Sequence, residues 1–156
     1  MEATQRWVLL AYRLPREPST PRIALWRKLR QLGGLQLLDN LVALPLTSET
    51  REQLEWLAEG VIEAGGDASV WLGEPDSRGH GRALVEEFQA ARAVEYRAVA
   101  EEAQRTRAAG GGRARTLARL RRELRRIRAR DYFNTPERRL AEAAVEELAA
   151  VMEVVG

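Results

Sequence analysis

The stretch RWVLLAYRLPREPSTPRIALWRKLRQLGGLQLLDNLVALP, residues 6–45, sets the architecture of the N-terminal half. An apolar run over residues 7–14 predicts a strand that is covered on much of both faces, and Pro15 ends it. Apolar residues at helical spacing follow, with Thr20 as the expected N-cap and Pro21 at the first helical position. The stretch therefore predicts a strand, an arginine-rich turn and a helix that begins directly after the turn.

The next elements follow from the same patterns. Two short apolar runs separated by Asp39-Asn40, a turn-forming pair, predict a hairpin. A second helix, capped by Thr47 or Ser48, has the clearest helical period in the chain, and a short strand over residues 68–72 follows it. The apolar positions of that helix are Leu54, Leu57, Ala58, Val61 and Ile62.

This order, β-α-β-β-α-β, predicts an α+β fold with a ferredoxin-like domain over residues 1–73. The turn-rich segment 74–82 is expected to be a loop, and residues 83–156 a helical extension. The extension should contain a long helix, a glycine break at residues 110–112 and an antiparallel helix pair. The inward positions expected on the long helix are Leu84, Phe88, Ala91, Val94 and Ala98.

The composition restricts the kinds of site that the chain can build. It has no cysteine, which excludes disulfides, thiolate nucleophiles and sulfur-ligated metals. His80 is the single histidine, so we expect neither a metal nor another cofactor. Because no Ser-His-Asp, paired-acid or phosphate-loop pattern is present, we do not expect an enzyme. The four tryptophans come one per early element and are expected to be structural.

No apolar run approaches the roughly 20 residues needed to span a bilayer. The N-terminus also lacks the pattern of a secretory signal. We therefore expect a cytoplasmic protein with no membrane partner.

Positive charge is concentrated in one segment, although the whole chain has a net charge of only +2. Residues 113–139 carry 11 arginines against three acids, which favours contact with the phosphates of duplex DNA. The alternative is an internal charge zipper with the glutamates of neighbouring helices. The DNA-binding candidates are Lys28, Arg30, Arg115, Arg119, Arg122 and Arg126.

The arginine-rich turn predicts a second kind of site, for an oxyanion or a phosphate. The backbone amides at the start of a helix face outward, and a tetrahedral dianion suits them. The candidates are Arg13, Arg16, Thr20, Arg22 and Arg27. The alternative is a solvated surface in which each exposed ion pair contributes about 0–1 kcal/mol.

Three segments together resemble the N-terminal region of ChrB-type chromate-resistance proteins. They are the opening stretch, SETREQLEWLAEGVIEAGGDASVWLG at residues 48–73, and RARDYF at residues 128–133. The resemblance implies a chromate-responsive transcriptional regulator or a resistance accessory protein that binds DNA, with chromate or a related oxyanion as the signal. Full-length relatives of that family carry a second, C-terminal domain, and what that domain senses is not assigned to the present residues.

The first 73 residues are also distantly similar to the ferredoxin-like domain shared by PaaX-type repressors and the small CRISPR adaptation nucleases. In those nucleases an aspartate after the first strand binds metal, whereas Arg13 stands at the comparable place here. A cation in place of a metal-binding carboxylate argues against nuclease chemistry.

Two other functions compete with DNA-binding regulation. The first is a protein-interaction or dimerisation module without direct DNA binding, in which the open sheet face or the helices bury against a second copy. We expect a homodimer both for the DNA-binding regulator and for the interaction module. The second is metal-dependent cleavage of phosphodiesters, which Arg13 disfavours.

Overall fold

The computed structural model describes residues 4–155, so that Met1 to Ala3 and Gly156 lie outside the described residues. The chain divides into two compact units. The first extends to Leu84 and the second begins at Val85.

A four-stranded antiparallel sheet forms the centre of the first unit. The strands are β1 (Trp7–Arg13), β2 (Leu35–Leu38), β3 (Leu41–Pro45) and β4 (Asp67–Gly73), and their order in the sheet is β2-β3-β1-β4. Central β1 pairs with β3 on one side and with β4 on the other, so that Trp7 lies opposite both Pro45 and Gly73. The first and last strands of the unit are therefore direct neighbours.

Helices α1 (Thr20–Leu32) and α2 (Ser48–Glu63) supply the rest of the core of this unit. Val8 and Leu10 are fully buried, whereas Leu9 between them is only partly covered. Because alternate residues of a strand point to opposite faces, Val8 and Leu10 mark the face that packs against the helices. The helix residues buried in this core are Leu25, Leu29, Leu54, Leu57, Ala58 and Val61. Each fully buried leucine contributes roughly 1.5–3 kcal/mol to folding.

The ends of α2 have strong local determinants. Thr47, one of the two predicted caps, is the N-cap of α2. It forms a capping box with Thr50. At the other end the chain turns through Gly65, whose φ is +89°, and then Gly66, where a Cβ would collide with the carbonyl oxygen of Arg13. Glycine at these two positions allows α2 to end directly before β4.

Most of the tryptophans, which were expected to be structural, lie outside the core. Trp7 is only 2% exposed, but Trp26, Trp56 and Trp71 are 53%, 65% and 61% exposed. Ile62 of α2, predicted to face inward, is also exposed. One tryptophan per element is therefore not evidence that each ring packs inward.

The long helix α3 (Arg78–Ala109) begins within the segment that was expected to be a loop. Ser77 explains the earlier start, because its hydroxyl accepts a hydrogen bond from the backbone N–H of His80 at 3.1 Å, as an N-terminal cap does. Residues 78–82 are thus helical although they include two glycines.

The second unit is built from the greater part of α3 together with α4 (Arg113–Ala129) and α5 (Glu137–Val155). All three helices contribute to one apolar core. Its members are Tyr96, Val99, Ala100, Ala103, Leu117, Leu120, Leu124, Ile127, Ala141, Ala144, Val145 and Leu148. The leucines of α4 at positions 117, 120 and 124, whose spacing is coiled-coil-like, are all buried in this core.

The inward face predicted for α3 is correct only at its start. Leu84 and Phe88 are buried, but Val94 is 63% exposed. The buried side of the helix continues instead from Phe88 through Arg92 and Tyr96. The charged residue Arg92 interrupts the apolar pattern on the buried side of the helix. The prediction therefore followed a different side, which contains Val94.

The predicted fold class is confirmed: the protein is α+β, with a four-stranded antiparallel sheet and a C-terminal group of helices. The predicted domain limits, at residues 73 and 83, stay a prediction beside the division into units at Leu84.

Candidate anion and nucleic-acid surfaces

The N-terminus of α1 is open to an external anion, although its cap differs from the one predicted. Ser19, not Thr20, is the N-cap, and its side chain makes no capping hydrogen bond. Thr20 is the first helical residue and is exposed, and Pro21 follows it within the first turn. No acidic residue lies in the first turn. Neither the cap side chain nor a carboxylate of that turn therefore neutralises the positive end of this helix.

Arg13 and Arg22 lie on different sides of the sheet, so the five predicted residues do not form one cluster. Arg13 donates to the carboxylate of Asp67 at 2.5 Å, across the β1–β4 pair. Its neighbour Tyr12 points to the opposite face, as alternation along the strand requires. Burial raises the pKa of Tyr12, and the nearby charge of Arg22 partly opposes that effect. Arg22 thus lies on the side of the helices, away from Arg13.

Arg16, Arg22 and Arg27 remain as exposed cations near the turn and along α1. Within residues 4–155 none of the three has an ion-pair partner. Arg22 and Arg27 are five residues apart, which separates their directions by about 140° around an α-helix. Arg22 therefore faces Tyr12, whereas Arg27 faces solvent in another direction.

Lys28 and Arg30, predicted to bind DNA, each lie over an exposed indole ring. The ammonium of Lys28 is 4.8 Å from the ring centroid of Trp56, and the guanidinium of Arg30 is 4.8 Å from that of Trp26. Lys28 and Trp56 line a groove of about 320 Å³ between α1 and α2. Both cations are thus exposed but already make cation–π contacts.

Some arginines of α4 form ion pairs with carboxylates, and others have no ion-pair partner within residues 4–155. Of the four predicted DNA-binding residues on this helix, Arg119 pairs with Glu102 and Arg126 pairs with Glu123 at 3.8 Å. Arg115 and Arg122 are exposed, and no carboxylate of the described chain pairs with them. The structure therefore places two of these residues in ion pairs and two in solvent.

Three further arginines of α4 belong with Arg115 and Arg122. They are Arg121, Arg125 and Arg128, all exposed and without an ion-pair partner among residues 4–155. We call these five residues the outer stripe of α4. The leucines at positions 117, 120 and 124 already indicate which side of the helix is buried, and that signal could have identified the three residues.

A second group of charges, which sequence reasoning missed, lies partly buried where α4 ends. The carboxylate of Glu95 on α3 accepts from two guanidinium groups, that of Arg92 at 3.2 Å and that of Arg130 at 2.8 Å. Arg92 is only 9% exposed. Burial lowers the pKa of Arg92, and the Glu95 carboxylate opposes this effect. One carboxylate thus joins α3 to the end of α4.

Asp131 continues this arrangement toward α5. It accepts hydrogen bonds from the Tyr96 hydroxyl at 2.9 Å and from the backbone N–H and the hydroxyl of Thr135 at 3.2 and 2.7 Å. The phenol of Tyr96 is fully buried, and burial together with the bond to Asp131 raises its pKa. We call Arg92, Glu95, Arg130 and Asp131 the arginine corner. The last two belong to the RARDYF segment.

Residues 4–155 contain neither a metal-binding cluster nor a membrane-spanning helix. No group of three or more His, Asp or Glu side chains in this range could hold a metal ion. No helix in the same range combines the length and apolar character of a membrane span. The expectation that the chain is not an enzyme stays a prediction.

The comparisons with known proteins agree on one family. The family model for "Protein ChrB, N-terminal" matches residues 22–109. Protein ChrB of Cupriavidus metallidurans (strain ATCC 43123 / DSM 2839 / NBRC 102507 / CH34) is 36% identical over 66 residues, which is 42% of this chain and 20% of that relative. The aligned region thus spans about a fifth of the curated relative's length. No solved structure matches the chain. The family match covers α1 almost completely and continues to the end of α3, but it does not include α4.

Proposed function

Because this chain belongs to the family of ChrB N-terminal regions, we propose that it is a transcriptional regulator or accessory protein of chromate resistance that binds duplex DNA and an oxyanion. The family supports the association with chromate resistance. DNA binding and oxyanion binding rest on the surfaces described above, and each has its own test.

The outer stripe of α4 is the observation that carries the DNA-binding proposal. Its five guanidinium groups extend from Arg115 to Arg128, which corresponds to roughly 20 Å along a helix that rises 1.5 Å per residue. Duplex DNA carries one negative charge per roughly 1.7 Å of its axis, so several phosphates lie within this length. Since no aromatic residue is interleaved with the arginines, stacking on single-stranded bases is disfavoured. The stripe suits contacts to the phosphate backbone of a duplex.

Fluorescence anisotropy with a labelled DNA duplex, measured over a range of salt concentrations, tests this proposal. We compare the triple variant Arg115→Ala, Arg122→Ala, Arg125→Ala with a control triple that removes three arginines held in ion pairs. The control substitutions are Arg107→Ala, Arg119→Ala and Arg126→Ala. Each lost phosphate contact should reduce the slope of log K against log salt by about 0.9, so the first triple should lose about 2.7.

The control triple removes the same total charge but should change the slope less, because its side chains are held by carboxylates. Equal losses in both triples would mean that net charge, not the outer stripe, determines binding. No salt-dependent binding by the unmodified chain would refute the proposal.

The oxyanion proposal rests on the N-terminus of α1. This helix start has an unused cap side chain, no acid in its first turn and exposed Arg16 and Arg22 nearby. Chromate and sulfate are both tetrahedral dianions, and the amides of a helix N-terminus suit such groups. Arg13 is a weaker candidate than the sequence indicated because Asp67 already neutralises it.

Isothermal titration with chromate, followed by competition with sulfate, tests this site. Arg22→Ala should weaken binding, whereas Arg30→Ala, on the same helix but in contact with Trp26, should not. Chromate binding that is unchanged in Arg22→Ala would contradict the site and leave the DNA-binding proposal intact.

We also infer that residues 7–73 form a ferredoxin-like domain. The support is the order β-α-β-β-α-β, the antiparallel sheet and the groove that α1 and α2 line together, since two helices that share a groove lie on the same face. Distances between spin labels on α1 and α2 would test this, because the chain has no native cysteine to interfere. The proposal includes a cytoplasmic location and no catalytic step.

A further inference from the structure

Every exposed residue of α4 is either an arginine or an alanine. Seven arginines and three alanines form this surface, and the alanines are Ala114, Ala118 and Ala129. The single acid of the helix, Glu123, is only partly exposed and pairs with Arg126. The large apolar residues of α4 are all buried on its other side. The solvent side of α4 therefore consists of long cations and short methyl groups.

The two residue types have separate places around the helix. Successive residues of an α-helix are about 100° apart, so Ala118 and Ala129, eleven positions apart, point within about 20° of the same direction. We call these two residues the alanine midline. The five arginines of the outer stripe lie about 30–90° away from the midline, on both sides of it. Those on one side are Arg115 and Arg122, and those on the other are Arg121, Arg125 and Arg128.

The arginines held by carboxylates lie farther from the midline. Arg119 and Arg126 are on the same side as Arg115, at about 70–90° from the midline. Arg119 pairs with Glu102 and Arg126 pairs with Glu123. On this side the carboxylates therefore hold the arginines at the border of the exposed surface and leave those beside the midline unpaired.

The dimensions and chemistry of this surface match the major groove of B-form DNA. The groove is about 12 Å wide and about 8.5 Å deep, and an α-helix with its side chains is roughly 10–12 Å across. A helix in the groove has a phosphate backbone on each side and base edges beneath it. Arginines on both sides of the helix can reach both backbones, whereas a long side chain on the midline would hold the helix away from the bases. Alanine has only a methyl group there, and that group can contact the methyl group of thymine.

We propose that α4 enters the major groove of duplex DNA, with Ala118 and Ala129 against the base edges and the outer stripe divided between the phosphates of the two strands. This inference rests on the DNA binding proposed above and adds the groove and the orientation of the helix. Duplex RNA is the poorer partner, because the major groove of an A-form helix is deep and narrow. A lipid surface is also a poorer partner, because no apolar residue larger than alanine is exposed on α4 to enter it.

Fluorescence anisotropy with modified duplexes of one sequence tests the choice of groove. One duplex is unmodified, and a second carries a neutral glucosylated hydroxymethyl group at C5 of each cytosine, which projects into the major groove. A third carries a neutral alkyl group at N2 of each guanine, in the minor groove. We expect the sugar to weaken binding by about tenfold or more and the alkyl group to change it by less than about twofold. Duplex RNA of the same sequence should bind at least about tenfold more weakly than the unmodified DNA.

The same titrations separate this inference from the DNA-binding proposal. Equal effects of the two modifications, a larger effect of the alkyl group, or equally tight binding to RNA would overturn the inference. If binding to the unmodified duplex is steeply salt-dependent in these cases, the phosphate contacts stand and only the groove is wrong. Binding without salt dependence would refute both.

Enlarging the alanine midline tests the orientation of the helix without changing its charge. The double variant Ala118→Leu, Ala129→Leu should weaken binding to the unmodified duplex by about tenfold, because the larger side chains hold the backbone away from the base edges. The control is Ala108→Leu with Ala143→Leu, at exposed alanines of α3 and α5. Leucine is a good helix former, so far-UV circular dichroism should be unchanged in both double variants. Equal weakening by both double variants, or no weakening by the midline variant, would overturn the inference.

Discussion

The arginine corner and the outer stripe of α4 use the same residue type in opposite ways. Arg130, at the end of α4, forms an ion pair with the partly buried carboxylate of Glu95, which also pairs with Arg92. Arg122, eight residues earlier, is exposed and has no carboxylate partner among the described residues. A guanidinium inside a protein requires a partner, whereas one in water does not. The corner is therefore expected to stabilise the fold, and the stripe is left free to bind an anionic partner.

The largest effect on stability should come from Glu95→Ala. This substitution removes the carboxylate shared by Arg92 and Arg130, and it leaves two poorly solvated cations facing each other. We expect a loss of about 3 kcal/mol in the free energy of unfolding. Urea unfolding followed by far-UV circular dichroism measures it. Glu123→Ala, which breaks only the exposed pair with Arg126, should cost about 0–1 kcal/mol. Similar losses in both variants would mean that the corner stabilises the fold no more than an exposed ion pair does.

Asp131→Ala should have the next largest effect. The buried hydroxyl of Tyr96 and the backbone N–H of Thr135 would lose their acceptor, and an unpaired buried donor costs about 1–3 kcal/mol. Asp131→Asn retains one carbonyl oxygen and should lose less. The same unfolding measurement checks the order, and a greater loss in the asparagine variant would contradict this role of the carboxylate.

A smaller effect should appear as a pH dependence of stability. The pKa of Tyr96 is raised in the folded protein, so its neutral form is favoured there. Its contribution to stability is therefore complete below the ordinary phenol pKa of 10.0 and decreases as the pH rises above that value. Thermal unfolding measured at increasing alkaline pH should show a steeper decline in the unmodified chain than in Tyr96→Phe. Tyr12→Phe, where Arg22 opposes the rise, should flatten the decline less. If Tyr96→Phe and the unmodified chain declined in parallel, this assignment would be wrong.

The smallest effect on stability should come from Arg122→Ala. An exposed side chain without a partner usually changes the free energy of unfolding by no more than about 0.5 kcal/mol. The same variant should nevertheless bind duplex DNA more weakly and lose about 0.9 of the salt slope. Anisotropy and urea unfolding on one preparation separate the two outcomes. A marked loss of stability would show that Arg122 belongs to the structural group.

The secondary structure of the first unit could be predicted because its signals are local. The run that forms β1, the Asp39-Asn40 turn and the helical period of α2 each lie within a few residues, and the structure has these elements where they were expected. The start of α3 was predicted too late because two glycines outweighed the cap that Ser77 provides. Local patterns thus identified the elements better than their ends.

The candidate sites were predicted less well because they depend on contacts between distant residues. Nothing near Arg13 in the sequence indicates Asp67, which is 54 residues away and becomes its partner through the register of the sheet. The burial of Arg92 was missed because an apolar pattern excludes a charged residue from a core. The pairing of Arg119 with Glu102 depends likewise on how α3 and α4 pack. The sequence shows which residues are cations. Only the fold shows which of these cations form ion pairs with carboxylates.

The tryptophans are distributed unevenly between the two units, which gives the units different optical signals. All four indoles, Trp7, Trp26, Trp56 and Trp71, lie in the first unit, and Trp7 is the one in its core. Intrinsic fluorescence excited at the indole band therefore comes entirely from the sheet unit. The helical unit dominates the far-UV signal because it contains most of the three longest helices. Two optical measurements on one unlabelled sample thus draw on different parts of the chain, the indole signal on the sheet unit alone and the far-UV signal mainly on the helical unit.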